Sequence, residues 1–305
     1  SAISRRWVLM MLRQLGVRVP LIGYGTAPLG NEHITREHAV RCLNHAIDCG
    51  ITYLDTSPDY GSEPHVGAVL QHRRDEVLLA TKINRRSKQG VLDELKRSLD
   101  RLQTDHVDLI QVHAVNAWAD LEQALAPDGA VAALEQARAD GLVRYIGITG
   151  HTRPELLAYA LRQYPFDSVL VALGIADHLV SGPDVFLLPT AQERNTAVIA
   201  MKVLGHGEFA NIELALRFSL GLPGVALAIL GMDSVAQIDQ NVAIAARFQP
   251  ISEEERQQLI AEVRPIIEAD AHESEEKTGR SKLFWLHDTK INGWSTDDEP
   301  KLVWY

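Results

Sequence analysis

The sequence predicts an α/β fold, a (β/α)8 TIM barrel that ends in an extra C-terminal helix and an aromatic-rich C-terminal tail. From Pro20 onward, eight short apolar runs of β type alternate with longer segments of helical periodicity, the pattern of repeated βα units around a parallel sheet. The length of 305 residues suits one barrel, which commonly uses about 250 residues and tolerates extensions. The stretch GYGTAPLG lacks the G-x-G-x-x-G spacing of an open dinucleotide-binding sheet, so a barrel is favoured over a doubly wound sheet.

Local signals place the strands and the helices between them. The predicted strands are LIGYG at 21–25, ITYLD at 51–55, VLLATK at 77–82, VDLIQVH at 107–113, VRYIGIT at 143–149, SVLVAL at 168–173, AVIAMKVLG at 197–205 and VALAILG at 225–231. Thr35 is expected to cap the first helix and Gly50 to end it, and ADLEQALAPDGAVAALEQARADG is expected to be helical up to Gly141. We place the barrel at about 19–250 within a single domain of residues 1–305.

The C-terminal region, residues 251–305, has two parts. The first, ISEEERQQLIAEVRPIIEADA, has apolar residues spaced three and four apart and predicts a helix. The second, residues 272–305, is loop-like but holds Trp285, Trp294 and Trp304, three of the five tryptophans. Because a disordered tail rarely contains so many aromatic residues, we expect it to pack against the barrel.

Composition and apolar patterning exclude several classes of protein. Acidic residues outnumber basic ones, 40 against 30, and no Lys/Arg cluster alternates with aromatic residues, so no nucleic-acid partner is expected. The apolar run in SAISRRWVLMML ends at Arg13, short of an export signal, and no other run approaches the roughly 20 residues that span a bilayer. We expect a cytoplasmic protein without a membrane partner; no pattern indicates an oligomeric state. Cys42 and Cys49 lie seven residues apart in one helix, too far for a disulfide, and are expected to be core thiols.

Four polar residues follow or end successive predicted strands. Asp55 ends ITYLD, Lys82 ends VLLATK, His113 ends VDLIQVH, and Tyr60 lies five residues beyond Asp55. Because the active sites of β/α barrels form at the carboxyl ends of the strands, we expect all four side chains at one mouth.

Together these side chains are suited to proton transfer. A tyrosine hydroxyl has a pKa of about 10, and a nearby ammonium such as that of Lys82 favours the phenolate. Asp55 would keep Lys82 charged and oriented, and His113 can hydrogen-bond a carbonyl oxygen of the substrate. Each residue alone also has an ordinary structural explanation, as a cap, a solvated strand end, a satisfied polar group or a loop aromatic. Their joint placement on three successive strand ends favours a catalytic site.

From about Leu15 to Ala269 the sequence resembles the aldo-keto reductase superfamily. LIGYGTAPLG resembles the opening strand of that family, and GITYLDTSPDYGSEPHVGAVL resembles the segment with its catalytic aspartate and tyrosine. RRDEVLLATK and VDLIQVH match the segments with the lysine and the histidine. The resemblance implies a tetrad of Asp55, Tyr60, Lys82 and His113, and an NAD(P)H-dependent oxidoreductase that reduces aldehydes or ketones to alcohols. In such an enzyme Tyr60 protonates the carbonyl oxygen while NADPH delivers the hydride.

The same resemblance implies a cofactor that lies extended across the barrel mouth. Near its nicotinamide end we expect Gly25, Thr26, Asp55, Thr149 and Gly150; along the nicotinamide and pyrophosphate, Met201, Lys202, Val203, Leu204 and Gly205; and around the adenosine phosphate, Gly231, Ser234, Gln237, Gln240 and Asn241. A helix that begins near Ser234 would direct free amides at phosphate oxygens, which gives a physical reason for anion binding.

Several positions depart from the family pattern. Asp233 stands where the family often has Arg or Lys, and a carboxylate would repel the 2'-phosphate of NADPH, so NADH is also possible. Gly150, Leu170 and Met201 replace polar or aromatic contacts to the nicotinamide, although a thioether can still cover the ring. Family members generally begin with a hairpin that closes the barrel floor, whereas the compressed MLRQLGVRVP leaves that closure open.

Two alternative functions would use the same fold. A non-catalytic or redox-sensing member of the family would bind the cofactor and a protein partner. The missing polar nicotinamide contacts favour it slightly, but the intact tetrad counts against it. A metal-dependent hydrolase or isomerase would need clustered ligands, but the strand ends offer only His113 and Asp55, with Lys82 between them, so no metal is predicted. The expected substrate is a small carbonyl compound, selected by DTSPDYGS, by the segment around Trp118 and by the aromatic tail.

Overall fold

The computed structural model describes residues 10–12, 17–276, 283 and 286. The tail tryptophans, Trp285, Trp294 and Trp304, lie outside these residues, so their predicted packing stays a prediction. Leu283 is buried in a small apolar cluster with Ala172, and its amide donates a hydrogen bond of 3.1 Å to Asp270 Oδ1.

The N-terminal segment forms a two-stranded antiparallel ribbon, of β1 Met10–Leu12 and β2 Val17–Val19. Val19 is buried in one cluster with Tyr53, Leu109 and Leu227, whose side chains fill the barrel interior. A two-stranded element is therefore present at the barrel floor, whose closure the sequence alone did not determine. Strands of three residues are too short to show the alternation by which a strand is recognised in sequence, which is why the pattern did not reveal it.

Eight parallel strands close into the predicted barrel. They are β3 Ile22–Gly25, β4 Tyr53–Asp55, β5 Leu78–Ile83, β6 Val107–Val112, β7 Val143–Gly150, β8 Ser168–Ala172, β9 Ala197–Met201 and β10 Val225–Gly231. Neighbours in sequence pair in order, and β10 pairs with both β9 and β3 to complete the circle. Each of the eight predicted runs matches one of these strands, although β5 and β7 each extend one residue beyond the run, so the (β/α)8 fold is confirmed.

Helices surround the barrel. They are α1 Arg36–Asp48, α2 Glu63–Arg73, α3 Lys88–Leu102, α4 Trp118–Leu125, α5 Ala130–Ala139, α6 Pro154–Gln163, α7 Ile175–Val180, α8 Pro183–Phe186, α9 Leu188–Glu193, α10 Ile212–Gly221, α11 Val235–Ala246 and α12 Glu253–Glu276. The Thr35 hydroxyl accepts a hydrogen bond from the amide of His38, which confirms the predicted cap, and Gly50 follows the helix at a positive φ of 93°. Among the described residues, no helix combines the length and the apolar content that crossing a membrane requires.

The expected helical segment up to Gly141 is interrupted, because α4 ends at Leu125 and α5 begins at Ala130. Pro127 explains the break, since a proline disfavours helical backbone at the preceding residue and offers no amide for the helix. Ala126 accordingly adopts an extended conformation, with ψ at 154°. Cys42 is buried as expected, whereas Cys49 is only half-buried, so its prediction as a core thiol is wrong.

Candidate active site

The barrel brings the four predicted catalytic residues to one mouth. Asp55 ends β4, Lys82 lies at the end of β5 and His113 follows β6, and these three strands are neighbours in the barrel. Their side chains are almost fully buried, with exposed fractions of 3%, 1% and 3%. Tyr60 lies in the loop after β4. Adjacent parallel strands that end at the same level therefore place the polar groups side by side.

Lys82 and Asp55 form a buried ion pair next to the tyrosine. The Lys82 Nζ donates to Asp55 Oδ1 at 2.5 Å and to the Thr56 carbonyl at 2.8 Å. The second carboxylate oxygen of Asp55 accepts from Gln111 Nε2 at 3.0 Å. These contacts hold the ammonium 4.8 Å from the centroid of the Tyr60 ring, where its charge can stabilise a phenolate.

The loop that carries Tyr60 is held by close backbone packing. A Cβ atom at Gly30 would lie 1.6 Å from the carbonyl oxygen of Tyr60, so only glycine permits this approach. The Ser62 hydroxyl is hydrogen-bonded to the hydroxyls of Thr26, at 2.8 Å, and Thr56, at 3.1 Å. Tyr60 therefore lies in a loop with a fixed conformation, and the Thr26 hydroxyl stabilises that loop through Ser62.

His113 is oriented by an amide relay. Its Nδ1 lies 2.6 Å from Asn84 Oδ1, and Asn84 Nδ2 donates to Asp59 Oδ1 at 3.2 Å. Because the amide nitrogen faces the carboxylate, the amide oxygen faces the ring and accepts from Nδ1–H. Burial, reinforced by the charge of Lys82, lowers the pKa of His113 well below its usual value, so the ring is neutral. Its Nε2 is then a hydrogen-bond acceptor, which suits a hydroxyl group and not the carbonyl oxygen that the sequence predicted as its partner.

Behind His113 lies a second buried ion pair, which the sequence reasoning missed. The Arg86 guanidinium donates to both carboxylate oxygens of Asp120, at 2.6 and 3.1 Å. It also donates to the carbonyl of His113 at 2.5 Å. Arg86 thereby ties the end of β6 to α4 from inside the protein.

A cavity of about 470 Å³ opens beside the tetrad, within the range usual for ligand pockets. Its wall includes Tyr60, His113 and ten of the predicted cofactor residues: Gly25, Asp55, Met201, Lys202, Val203, Leu204, Gly231, Gln237, Gln240 and Asn241. Five other predicted cofactor residues, Thr26, Thr149, Gly150, Gly205 and Ser234, do not line it, nor does the tetrad residue Lys82. The hydroxyls of Thr149 and Ser234 instead accept hydrogen bonds from the amides of Ala114 and Gln237.

Two histidines in the wall were not predicted. His151 follows β7, and its amide donates to Asn116 Oδ1 at 2.9 Å. His206 Nε2 lies 2.6 Å from the Nζ of Lys202. Desolvation and the adjacent Lys202 ammonium lower the pKa of His206, although its side chain is exposed, and burial lowers the pKa of Lys202 to about 8. A neutral imidazole therefore accepts a hydrogen bond from a charged ammonium at pH 7.

The segment that carries Lys202 and His206 has unusual backbone. Both residues have positive φ, at 61° and 55°, and so do Gly205 and Gly207. Such conformations in residues other than glycine are uncommon and cluster at functional sites. No sequence pattern predicts these backbone conformations, so His206 could not be assigned to the site from the sequence.

One expected pocket residue lies elsewhere. Trp118, at the start of α4, has 43% of its surface exposed and packs edge-on against Tyr159, with ring centroids 5.1 Å apart. It does not line the cavity, so its expected part in substrate selection is not supported. Leu170 and Met201 do line the cavity and make part of its wall apolar.

A family model described as the aldo/keto reductase family matches residues 21–211, a stretch that includes the whole tetrad. The chain belongs to the aldo-keto reductase family. It is accordingly an enzyme of the oxidoreductase class, as the resemblance implied. L-Galactose dehydrogenase of Arabidopsis thaliana is 28% identical to it over 85% of this chain and 94% of the relative. D-threo-aldose 1-dehydrogenase of a Pseudomonas species is 32% identical over 65% of this chain and 70% of the relative.

Solved structures of this aldo-keto reductase's relatives share its fold. The holo form of an aldo-keto reductase from Bacillus halodurans matches with a TM-score of 0.69 and 26% identity, over 81% of this chain and 93% of that one. An aldo-keto reductase from Klebsiella pneumoniae in complex with NADPH matches with a TM-score of 0.68 and 26% identity, over 83% and 95% of the two chains.

Proposed function

We propose that the protein reduces small aldehydes or ketones to alcohols with NAD(P)H, and that the proton comes from Tyr60. When bound, the nicotinamide would supply the hydride. The observation that carries the proposal is the Lys82 ammonium, fixed by Asp55 at 4.8 Å from the Tyr60 ring on the edge of an open cavity.

The proton transfer can be followed through this chain's own residues. The Tyr60 hydroxyl donates its proton to the carbonyl oxygen, and the phenolate that remains is stabilised by the adjacent ammonium of Lys82. Asp55 keeps this ammonium in place. The neutral His113 offers Nε2 as an acceptor, which would hold the hydroxyl of the alcohol product, or of an alcohol substrate when the reaction runs in reverse. The names of the two dehydrogenase relatives support the reverse direction as well.

The cavity wall fits a dinucleotide. Leu170 and Met201 offer apolar surface for a flat ring, and Lys202 provides a cation for a phosphate group. Gln237 and Asn241, from the first two turns of α11, line another part of the wall. Amides at a helix start favour anions, so this part suits the adenosine phosphate.

The proposal is tested by mixing the purified protein with NADPH or NADH and following cofactor oxidation against a panel of aldehydes and ketones. Alcohol oxidation with NADP⁺ or NAD⁺ is measured in parallel on aldoses. Turnover in either direction supports the proposal. Cofactor binding, measured by tryptophan quenching, without turnover on any compound would instead support the redox-sensing alternative.

The side chain at position 233 is expected to set the cofactor preference. The backbone there is fixed, because the Asp233 amide donates to Gln237 Oε1 at 2.8 Å and its carbonyl accepts from His38 Nε2 at 2.6 Å. Asp233→Arg should therefore replace a carboxylate by a guanidinium at the cavity wall without moving the backbone. We expect the affinity for NADPH relative to NADH to rise by about 10- to 100-fold, the value of one charge-assisted hydrogen bond. Asp233→Asn, which removes only the repulsion, should give a smaller rise; an unchanged ratio in both would place the 2'-phosphate elsewhere.

Cofactor affinity should also depend on pH through Lys202. Burial lowers the pKa of this lysine to about 8, so its charge is present below pH 8 and is lost above it. Asp177 opposes this shift and Lys82 adds to it, while His206, with a pKa of about 3, stays neutral throughout. The dissociation constant for NADPH should change little between pH 7, where the 2'-phosphate is already ionised, and pH 8, and it should rise above pH 8. Lys202→Met should bind more weakly at pH 7 and lack the rise; the same rise in that variant would exclude Lys202 as its origin.

A further inference from the structure

A cluster of metal-ligating side chains lies between two outer helices, away from the cavity. His45 in the last turn of α1 and Cys49, which directly follows that helix, are four residues apart and share one face. Asp239 of α11 lies opposite them. The His45 Nε2 is 2.7 Å from Asp239 Oδ1 and 3.5 Å from Cys49 Sγ. Within the described part of the chain, this is the one group of three such residues whose ligand atoms all lie within 4.8 Å of one another.

The spacing of these atoms agrees with tetrahedral coordination. Bond lengths of about 2.3 Å to sulfur and about 2.0 Å to nitrogen give a sulfur–nitrogen edge of about 3.5 Å around a zinc ion. The observed separation between Cys49 Sγ and His45 Nε2 is 3.5 Å. The carboxylate is closer to the imidazole than a coordination edge requires, but the Asp239 side chain is 59% exposed and is free of the constraints of a packed core.

We propose that His45, Cys49 and Asp239 form a binding site for a divalent cation of borderline softness, such as Zn²⁺, with water as the fourth ligand. A thiolate, an imidazole and a carboxylate together favour zinc over Mg²⁺ or Ca²⁺, which prefer oxygen ligands alone. On binding, the Cys49 thiol releases its proton to solvent, and the proton that His45 Nε2 donates to Asp239 leaves this nitrogen for Nδ1 or for solvent. The sulfur and Nε2 can then both form bonds to the metal.

The local charges suit a cation. The neighbouring carboxylates of Asp239 and Asp48 disfavour a negative charge on the Cys49 sulfur. A bound cation reverses this balance, because the same carboxylates then attract it. This site lies in the helical shell, whereas the prediction of no metal was based on the residues at the strand ends of the barrel.

The chain provides a matched control one heptad earlier on the same helix. His38 and Cys42 have the same four-residue spacing, and their side-chain atoms Nε2 and Sγ are also 3.5 Å apart. The third group there is the backbone carbonyl of Asp233, at 2.6 Å from the His38 Nε2, in place of a carboxylate. Cys42 is also fully buried, so this pair is not expected to bind a metal.

Metal binding would join α1 to α11, the helix that places Gln237, Gln240 and Asn241 in the cavity wall. None of the three proposed ligands lines the cavity. The metal should therefore stabilise the fold without taking part in carbonyl reduction, and the two proposals can fail independently.

The test is a titration of chelator-treated protein with Co²⁺ and then with Zn²⁺. We expect a thiolate-to-cobalt charge-transfer absorption that saturates at one equivalent and is displaced by zinc. At about a hundredfold excess of free Zn²⁺ over Kd, Tm should rise by about 5 °C. Cys42→Ser should keep both signals and Cys49→Ser should lose both. Asp239→Asn, a change at an exposed side chain, should weaken binding roughly tenfold or more, since even the outer-shell partners of a metal contribute about that much.

Two results would overturn the site. One is the absence of a charge-transfer band in the unaltered protein. The other is a band and a Tm increase that persist in Cys49→Ser, which would place the metal on other residues. If Cys49→Ser does not fold, unchanged affinity in a folded Asp239→Asn variant decides against the proposal.

Discussion

Replacing Tyr60 by phenylalanine is expected to lower kcat by about 10²- to 10⁴-fold, the loss associated with removing a general acid. The ring should keep its place, because it lies 4.8 Å from the Lys82 Nζ and packs edge-on to His113 at 6.1 Å between ring centroids. The substitution therefore removes the hydroxyl and little else. Cofactor affinity should stay close to that of the unaltered enzyme. The measurements are single-turnover NADPH oxidation with a reactive aldehyde and a tryptophan-quenching titration.

The matched control is Tyr159→Phe, which removes a hydroxyl from a side chain on the outer surface that contacts Trp118. It should leave kcat unchanged. Tyr60 and Lys82 act as one unit. Lys82→Met should therefore slow the reaction far less in the Tyr60→Phe variant than in the unaltered enzyme. Full activity in Tyr60→Phe would rule out this tyrosine as the proton donor.

The barrel could be predicted from sequence because its strands are buried on both faces. A run such as VLLATK begins with four consecutive apolar residues, and this pattern marks β5 without any knowledge of its partners. The hairpin of β1 and β2 has only three residues in each strand and carries no such pattern. The break between α4 and α5 was foreseeable from Pro127, but the apolar spacing on both sides of it suggested one continuous segment.

Some residues of the candidate site could likewise be predicted from the sequence, and others could not. Asp55, Lys82 and His113 could be placed because a position at a strand end determines where the side chain lies in a barrel. Asn84 and His206 could not, because their contacts depend on how the loops fold. His206, for example, reaches Lys202 only through a backbone with positive φ. Thr26 and Thr149 were also assigned to the cofactor; their hydroxyls bond within the protein, and their contact with the cofactor stays a prediction.

Replacing Arg86 by methionine is expected to reduce the free energy of unfolding by about 3–5 kcal/mol, because it leaves the buried carboxylate of Asp120 without its partner. Burial already raises the pKa of Asp120, and the guanidinium opposes that shift. Without Arg86 the carboxyl would be more strongly disfavoured as an anion in the folded state. The destabilisation caused by Arg86→Met is therefore absent at a pH low enough to protonate Asp120 in both the folded and the unfolded state. It grows as the pH rises above about 3.9, the pKa of an aspartate in the unfolded chain. Urea unfolding at pH 5 and at pH 7 should show the larger loss at pH 7.

The double variant Arg86→Met/Asp120→Leu separates the charge from the packing. It removes both ions, so it should recover most of the stability lost in Arg86→Met, since an apolar pair of similar volume is often no worse than a buried ion pair. The recovery should not extend fully to activity, because the guanidinium also donates to the carbonyl of His113 at 2.5 Å and so fixes the end of β6 beside the tetrad. A double variant as unstable as the sum of the two single variants would mean that Arg86 and Asp120 act separately. Full stability with reduced kcat would instead identify the bond to His113 as the link between this ion pair and the position of the histidine.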